Sequence, residues 1–160
     1  MKENLVAVNG VVHVIGNVMQ PSEHTAVEYV KSNPKLSKVA KILEMANMKE
    51  LLNSQQIKAP FTLFAPEDSA ISELPTSTEQ ARSLVMKYIL NPAYFSTMLP
   101  VDDEAEITSV DMSTSIKVKK DQSGKVTITT GDDDNTRVNV INADIGLYDG
   151  VLHVIDGVFQ

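Results

Sequence analysis

A twelve-residue segment occurs twice in this chain, at a constant offset of 140 positions. Residues 9–20 read NGVVHVIGNVMQ, residues 149–160 read DGVLHVIDGVFQ, and seven of the twelve positions are identical without a gap. A repeat of this length is a whole domain rather than one rung of a solenoid, whose period is about 20 to 50 residues. The repeat therefore predicts two units. Residues 1–20 are the C-terminal strand segment of a preceding domain, and residues 21–160 are one complete domain.

Composition and charge narrow the class of function. The net charge is -7, the pI is near 4.9, and the 14 Lys and Arg residues are dispersed along the chain. An acidic surface gains nothing from the counterion release that drives binding to polyanions, so neither nucleic acid nor an anionic membrane is an expected partner. The chain has no Cys, which excludes disulfides and thiolate chemistry. It also has no run of about 18 apolar residues, so no membrane insertion by this segment is expected.

The first half of the chain has helical periodicity. Asn33 and Pro34 end one short helix and open the next, whose apolar residues recur at three- and four-residue spacing up to Ala46. The remaining predictions for this half are a helix start at residues 21–23, a buried strand at 61–65, a helical turn at 67–74 and a helix after the capping residues 76–79.

The second half of the chain alternates between apolar and polar residues from Glu106 onward. This alternation predicts strands around Ile107, Ile116, Val126 and Val138, and a last strand over residues 151–159. Helices early and strands late are typical of an α+β fold with a largely antiparallel sheet. A doubly wound parallel sheet would need helices between the late strands, and the short hairpin connections leave no room for them.

The three histidines do not form a pattern of catalytic or metal-binding residues. His13 and His153 occupy equivalent positions of the repeat, and His24 stands alone without a second ligand at helical spacing. His153 is expected to be neutral, with its ring hydrogen-bonded to a backbone group. A Ser/His/Asp triad stays open on spacing alone, but no Gly-x-Ser-x-Gly turn supports one. The sequence predicts no catalytic residues, no metal and no cofactor.

Two acidic clusters, at residues 102–106 and 131–135, supply carboxylate oxygens that could hold Ca²⁺ weakly. Neither has the ligand order of an EF-hand loop, and solvated loop tips are the favoured interpretation of both.

Two longer motifs resemble the fasciclin domain family of cell-adhesion and matrix proteins. The first is FTLFAPEDSA at residues 61–70, and the second is NADI at 142–145 followed by DGVLHVID at 149–156. The resemblance covers residues 25 to 160 and implies an α+β fold, a fasciclin-like wedge-shaped antiparallel β-sandwich with flanking helices mostly in the N-terminal half. It also implies a tandem arrangement, an extracellular location and no catalytic activity. Residues 1–20 would then belong to a preceding fasciclin-like domain.

The same resemblance suggests three adhesion contacts. Family members are linked to integrins through a Tyr-centred apolar segment and an Asp-Ile pair, which correspond here to Tyr88 and to Asp144 with Ile145. The family commonly has a Tyr-His pair, whereas this chain has Tyr88 followed by Ile89. Asp144 is expected in a short loop, either exposed to a receptor or hydrogen-bonded to the backbone near Gly146. Both roles are compatible.

The expected function is therefore a non-catalytic extracellular adhesion or matrix-interaction module. Its expected partner is an integrin-type cell-surface receptor or a matrix protein, with homophilic contact as a further option. The alternative is a carrier or lectin-like module that binds an apolar ligand or a glycan in a cleft between the helices and the sheet. An enzyme is the third choice.

Overall fold

The N-terminal half of the chain supplies the helices and the C-terminal half supplies most of the strands. The computed structural model describes residues 5–12, 22–53, 57–110, 112, 114–130 and 137–159. The helices are α1 (Ala26–Ser32), α2 (Ser37–Met45), α3 (Met48–Asn53) and α4 (Thr78–Tyr88), with single 3-10 turns at Pro34–Leu36 and Ser96–Met98. The strands are β1 (Leu5–Ala7), β2 (Gly10–Val12), β3 (Phe61–Pro66), β4 (Ile89–Leu90), β5 (Glu104–Thr108), β6 (Ser115–Lys120), β7 (Val126–Thr130), β8 (Arg137–Gly146) and β9 (Gly150–Ile155).

Strands β3 to β9 form one seven-stranded sheet in the order β4-β3-β9-β8-β7-β6-β5. Within the described residues all neighbouring pairs are antiparallel except β3 and β9, which are parallel. The two edges approach each other, since Leu90 bridges to Ser109 and the Val110 N–H donates to the Ile89 carbonyl at 2.9 Å. The sheet is therefore nearly closed into a barrel. The predicted α+β order of elements and the largely antiparallel sheet are confirmed.

Polar side chains define where the helices begin. The Thr25 hydroxyl accepts the Glu28 N–H, and the Glu28 carboxylate accepts the Thr25 N–H at 2.8 Å, so α1 starts with a capping box two residues after the predicted start. Asn33 caps the following 3-10 turn, as predicted. The Ser77 hydroxyl accepts the Gln80 N–H at 3.2 Å at the start of α4.

The helical turn predicted at residues 67–74 is wrong. These residues form turns and irregular backbone. A turn bond runs from the Ala70 N–H to the Glu67 carbonyl at 2.9 Å, but the polar groups of Asp68 bond to residues 35–38. The Asp68 carboxylate accepts the Ser37 and Lys38 N–H groups at 3.1 and 2.8 Å. The Lys38 ammonium in turn donates to the Asp68 and Ile71 carbonyls. The segment is therefore fixed against the first turn of α2.

β9 is an interior strand of the sheet. It lies between β3 and β8, and Val154 and Ile155 are both in the buried core, which confirms a closing strand at this place. The strand ends at Ile155, whereas the sequence predicted it up to residue 159. Gly150 faces Phe61 in the parallel pair, and a Cβ atom added there would lie 1.9 Å from the Phe61 carbonyl oxygen. Only glycine permits this approach of the two backbones.

The N-terminal repeat forms a separate element. β1 and β2 pair antiparallel in a two-stranded sheet of their own. Residues 13–20, which complete the predicted strand segment, lie outside the described residues.

Candidate functional site

Asp144 lies inside β8, not in the loop that its sequence context predicted. The pairing of β8 with β9 shifts register on both sides of Asn142, and Asp144 adopts a left-handed conformation with φ of 60°. This irregularity turns its side chain toward the 3-10 turn at residues 96–98. The carboxylate accepts the Ser96 N–H at 2.6 Å and the Ser96 hydroxyl proton. The partner of Asp144 is therefore Ser96 rather than the backbone near Gly146.

The ring of His153 holds the irregular backbone of β8 at Asp144 from inside the sheet. Its Nδ1 atom accepts the Asp144 N–H at 3.2 Å, and its Nε2 atom lies 2.9 Å from the Tyr94 carbonyl oxygen. A carbonyl can only accept, so Nε2 carries the proton and the ring is neutral. Burial lowers the pKa of His153, since only 5% of the residue is exposed. The expected neutral, hydrogen-bonded imidazole is confirmed.

Ser96, Asp144 and His153 meet at this point, but their geometry is not that of a nucleophilic triad. The Ser96 hydroxyl donates to the carboxylate, whereas both ring nitrogens of His153 bond to backbone groups. A triad needs the imidazole within reach of the hydroxyl proton. The arrangement instead fixes the loop before β5 onto β8, and the Lys120 ammonium strengthens it by donating to the Ser96 carbonyl at 3.1 Å.

Tyr88 lies in the core at the end of α4. Its hydroxyl accepts the Phe159 N–H at 2.8 Å, and the two rings stack with centroids 4.5 Å apart. Burial raises the pKa of Tyr88 to about 12, and only 5% of the residue is exposed. Tyr88 therefore holds the C-terminal segment against α4 and does not itself reach the surface.

An aromatic row connects Tyr88 to the Asp144 site. Phe64 of β3 lies between Phe159 and His153, with ring centroids 5.9 and 5.5 Å away. Tyr88, Phe159, Phe64 and His153 thus form a continuous line that ends at the backbone of Asp144. The sequence alone predicts no role for Phe64 or Phe159 at this site. The available signals were the position of Phe159 in the repeat and that of Phe64 in the first motif.

A cavity of about 210 Å³ opens beside Tyr88. It lies between α2, α4, β3 and the segment before α4, and its lining is mainly apolar. Ser72 and Glu73 supply polar atoms to the lining. The apolar residues around it are Val39, Ile42, Leu43, Leu63, Phe64, Pro66, Ile71, Leu84, Val85, Tyr88, Val158 and Phe159. This cavity fits the cleft between helices and sheet that the alternative function requires.

Apolar side chains are exposed on either side of Ser96. Phe95 is 39% exposed and Met98 is 60% exposed, although both are large apolar residues. Ile145, which follows Asp144, is half-buried. We call Phe95, Met98, Asp144 and Ile145 the Asp144 patch, because Ser96 joins the two chain segments that carry them.

The acidic cluster at residues 102–106 does not form a recognisable cation site in the described part of the chain. Over the residues that the structure describes, no three His, Cys, Asp or Glu side chains are grouped so that they could hold a metal ion. Asp102 accepts a hydrogen bond from Gln122 at 2.6 Å and is exposed. The cluster at residues 131–135 lies outside the described residues. Within the same part of the chain, none of the helices combines the length and apolarity that a membrane span requires.

A mixed sheet closed almost into a barrel, with helices packed on one side and a buried structural histidine, defines a small α+β module. The family model of the Fasciclin domain matches residues 34–160, and the chain belongs to this family. A domain pair from the insect cell adhesion molecule Fasciclin I has the same fold, with a TM-score of 0.64 and 20% identity, over 98% of this chain and 57% of that one.

Two relatives show how similar the sequence is to known proteins and over what length. Fasciclin-1 of Schistocerca americana is 31% identical over 88 residues, which are 54% of this chain and 13% of that protein. Protein sll1483 of Synechocystis sp. is 28% identical over 154 residues, which are 91% of this chain and 78% of that protein. The chain therefore spans only a small part of Fasciclin-1, but most of the cyanobacterial protein.

Proposed function

We propose that this domain is a non-catalytic extracellular module of cell adhesion, and that the Asp144 patch contacts an integrin-type receptor or a matrix protein. Membership of the fasciclin domain family supports the class, since Fasciclin I is a cell adhesion molecule. The observation that carries the proposal is the exposure of Phe95 and Met98 around a carboxylate of fixed orientation.

The composition of the patch suits a protein partner. Aromatic residues and Met are enriched where interfaces are fully buried, and charged groups at such sites need partners. Two hydrogen bonds from Ser96 hold the Asp144 carboxylate, which reduces the entropy lost when a partner binds it. Ile145 adds an apolar contact directly after the acid.

Tyr88 contributes to this proposal indirectly. Because its side chain is buried, any effect of Tyr88 on adhesion passes through Phe159, Phe64 and His153 to the backbone of Asp144. Tyr88 is therefore a positioning residue for the patch, while Asp144 and Ile145 are its direct contacts.

The test is attachment of cells to the immobilised domain, with thermal unfolding measured on every variant. Met98→Glu is expected to abolish attachment without a change in the unfolding temperature, because the side chain is exposed. Met112→Glu is the matched control, since Met112 is 85% exposed at the turn between β5 and β6. Equal attachment by both variants would contradict the proposed surface.

A second pair of variants distinguishes direct contact between Asp144 and the receptor from a purely structural role of its carboxylate. Ser96→Ala removes one hydrogen bond from Asp144 but leaves its carboxylate in place, whereas Asp144→Asn removes the charge and keeps the size. If the acid contacts the receptor, attachment survives the Ser96 change and is lost with Asp144→Asn. Loss in both variants together with reduced stability would show a purely structural acid.

The cavity beside Tyr88 favours a second candidate, a carrier of a small apolar ligand. Its volume of about 210 Å³ exceeds the 150 Å³ or so in which an apolar site can bind benzene. Calorimetry with p-xylene tests this candidate, with Val39→Phe as the variant that fills the space. Saturable binding that the variant abolishes, in a domain to which no cell attaches, would favour the carrier over the adhesion module.

A further inference from the structure

The hydroxyl of Tyr88 has a proton without an acceptor. Its oxygen accepts the Phe159 N–H at 2.8 Å, but no residue in the described part of the chain accepts the hydroxyl proton itself. Tyr88 is only 5% exposed, so this donor is buried. A buried donor without a partner is costly, and native structures contain few of them. The Tyr88 hydroxyl therefore indicates an acceptor that the described chain does not supply.

The cavity beside Tyr88 is the space into which such an acceptor can enter. Tyr88 and Phe159 both line this cavity of about 210 Å³. Of the described residues that line it, Ser72, Glu73 and Tyr88 have polar side chains, and Ser72 and Glu73 are exposed. Pockets for small molecules are mostly apolar, with a few polar groups that orient the ligand. The Tyr88 hydroxyl is the buried polar group of this lining.

We propose that the cavity binds a neutral carbonyl compound with a small apolar body, and that the Tyr88 hydroxyl donates its proton to the carbonyl oxygen of the ligand. The apolar body of the ligand would lie against the side chains that α2, α4 and β3 contribute, among them Ile42, Val85 and Leu63. The inference rests on the second candidate function, the carrier, and adds to it the class of ligand and the residue that selects that class.

The charges around the cavity disfavour an ionised ligand. Glu73 is an exposed carboxylate in the lining, and the chain has a net charge of -7, so a ligand carboxylate would be repelled. A buried ligand carboxylate would also need more partners than one hydroxyl. Burial raises the pKa of Tyr88 to about 12, so the hydroxyl stays a donor at neutral pH and offers no negative charge to a cation. A neutral carbonyl oxygen accepts the proton and has no charge to compensate.

Calorimetry with two probes of nearly the same shape tests the proposal. Acetophenone has a carbonyl oxygen where cumene has a methyl group, so the probes differ mainly in the acceptor. Both are expected to bind the parent domain. In Tyr88→Phe the affinity for acetophenone is expected to fall about 3- to 10-fold, as one net hydrogen bond contributes, while the affinity for cumene is unchanged. Tyr148→Phe is the matched control, because it removes an exposed hydroxyl outside the cavity and should leave both affinities unchanged.

Infrared spectroscopy of bound acetophenone gives a second measurement that needs no variant. With an isotope label in the carbonyl group, the stretching band of the bound probe is expected at a lower frequency than that of acetophenone in hexane, because a hydrogen bond weakens the carbonyl bond. A band at the hexane frequency would overturn the inference and leave the carrier standing, and so would an acetophenone affinity that Tyr88→Phe does not change. If neither probe binds the parent domain, the inference and the carrier both fail. None of these readouts depends on cell attachment.

Discussion

The Tyr88 side chain binds Phe159 twice, since its ring stacks on the Phe159 ring and its hydroxyl accepts the Phe159 N–H. Tyr88→Phe keeps the stacking and leaves that buried N–H without its acceptor. A buried unsatisfied donor costs about 1 to 3 kcal/mol, so the urea midpoint should fall accordingly. Tyr148→Phe is the matched control, because Tyr148 is 79% exposed. Similar midpoints for both variants would contradict the role given to the Tyr88 hydroxyl.

Stability should decrease as the pH falls below about 6.5, through His153. Burial holds the pKa of His153 in the folded state below its ordinary value, so the unfolded chain takes up the proton first. The stability that the neutral ring provides is thus complete above the unfolded pKa and is lost progressively as the pH falls toward the folded pKa. Urea midpoints between pH 5 and 7 measure this slope. In His153→Gln the slope in this range should be reduced, and an unchanged slope would assign it to other groups.

Asp149→Asn should stabilise the domain at neutral pH. Burial, with a smaller contribution from the Glu28 charge, raises the pKa of Asp149, and its Oδ2 atom has no hydrogen-bond partner among the described residues. When the pKa of a carboxyl is higher in the folded than in the unfolded state, the domain becomes less stable as the pH rises above the unfolded-state pKa. Asparagine cannot ionise, so the Asn variant avoids this loss of stability. The Asn carbonyl can still accept the Ala26 N–H, as Asp149 Oδ1 does at 2.9 Å.

Asp149→Ala separates the two effects of this residue. It removes the charge and also the acceptor at the start of α1, which is worth about 1 kcal/mol. At pH 7 the Asn variant is expected to unfold at a higher temperature than the parent. The Ala variant is expected to unfold at a lower temperature than the Asn variant. If the Asn variant were less stable than the parent, the carboxylate would have a favourable partner after all.

Gly150→Ala should be severely destabilising, with loss of cooperative unfolding. The new Cβ would overlap the Phe61 carbonyl, and β3 and β9 are both interior strands of the sheet. Gly146→Ala is the control, since nothing lies within 4 Å of a Cβ at that position of the neighbouring strand. Circular dichroism during thermal unfolding distinguishes the two. Comparable losses would show a general intolerance of this hairpin rather than a specific collision.

Local patterns in the sequence predict most of the helices and strands. Capping residues such as Asn33 and the alternation along β6 and β7 act over a few positions, so periodicity and turn chemistry predict them. β4 was not predicted, because two residues, Ile89 and Leu90, cannot show a period. The wrong assignment at 67–74 arose because Asp68 caps α2, which no pattern within that segment reveals.

The candidate site depends on contacts that are distant in sequence. Ser96 and Asp144 are 48 positions apart, and His153 reaches Tyr94 over 59 positions. The spacing of these residues contains no sign that they meet. The left-handed backbone of Asp144 is equally hidden, because it results from the changes of register between β8 and β9. The resemblance to a family drew attention to Asp144, but not to the residue that holds it.

The parallel pairing of β3 with β9 affects how the domain is made. Phe61 pairs with Gly150, and Phe64 with His153, so β3 gains its parallel partner only when β9, the last strand of this sheet in chain order, has been synthesised. Until then the nascent chain presents β3 and β8 with open backbone groups, which other strands can pair with. Contacts this far apart in sequence also form slowly. Synthesis therefore passes through a stage in which most of the domain has emerged but cannot close, and a chaperone that covers strand edges would act at that stage.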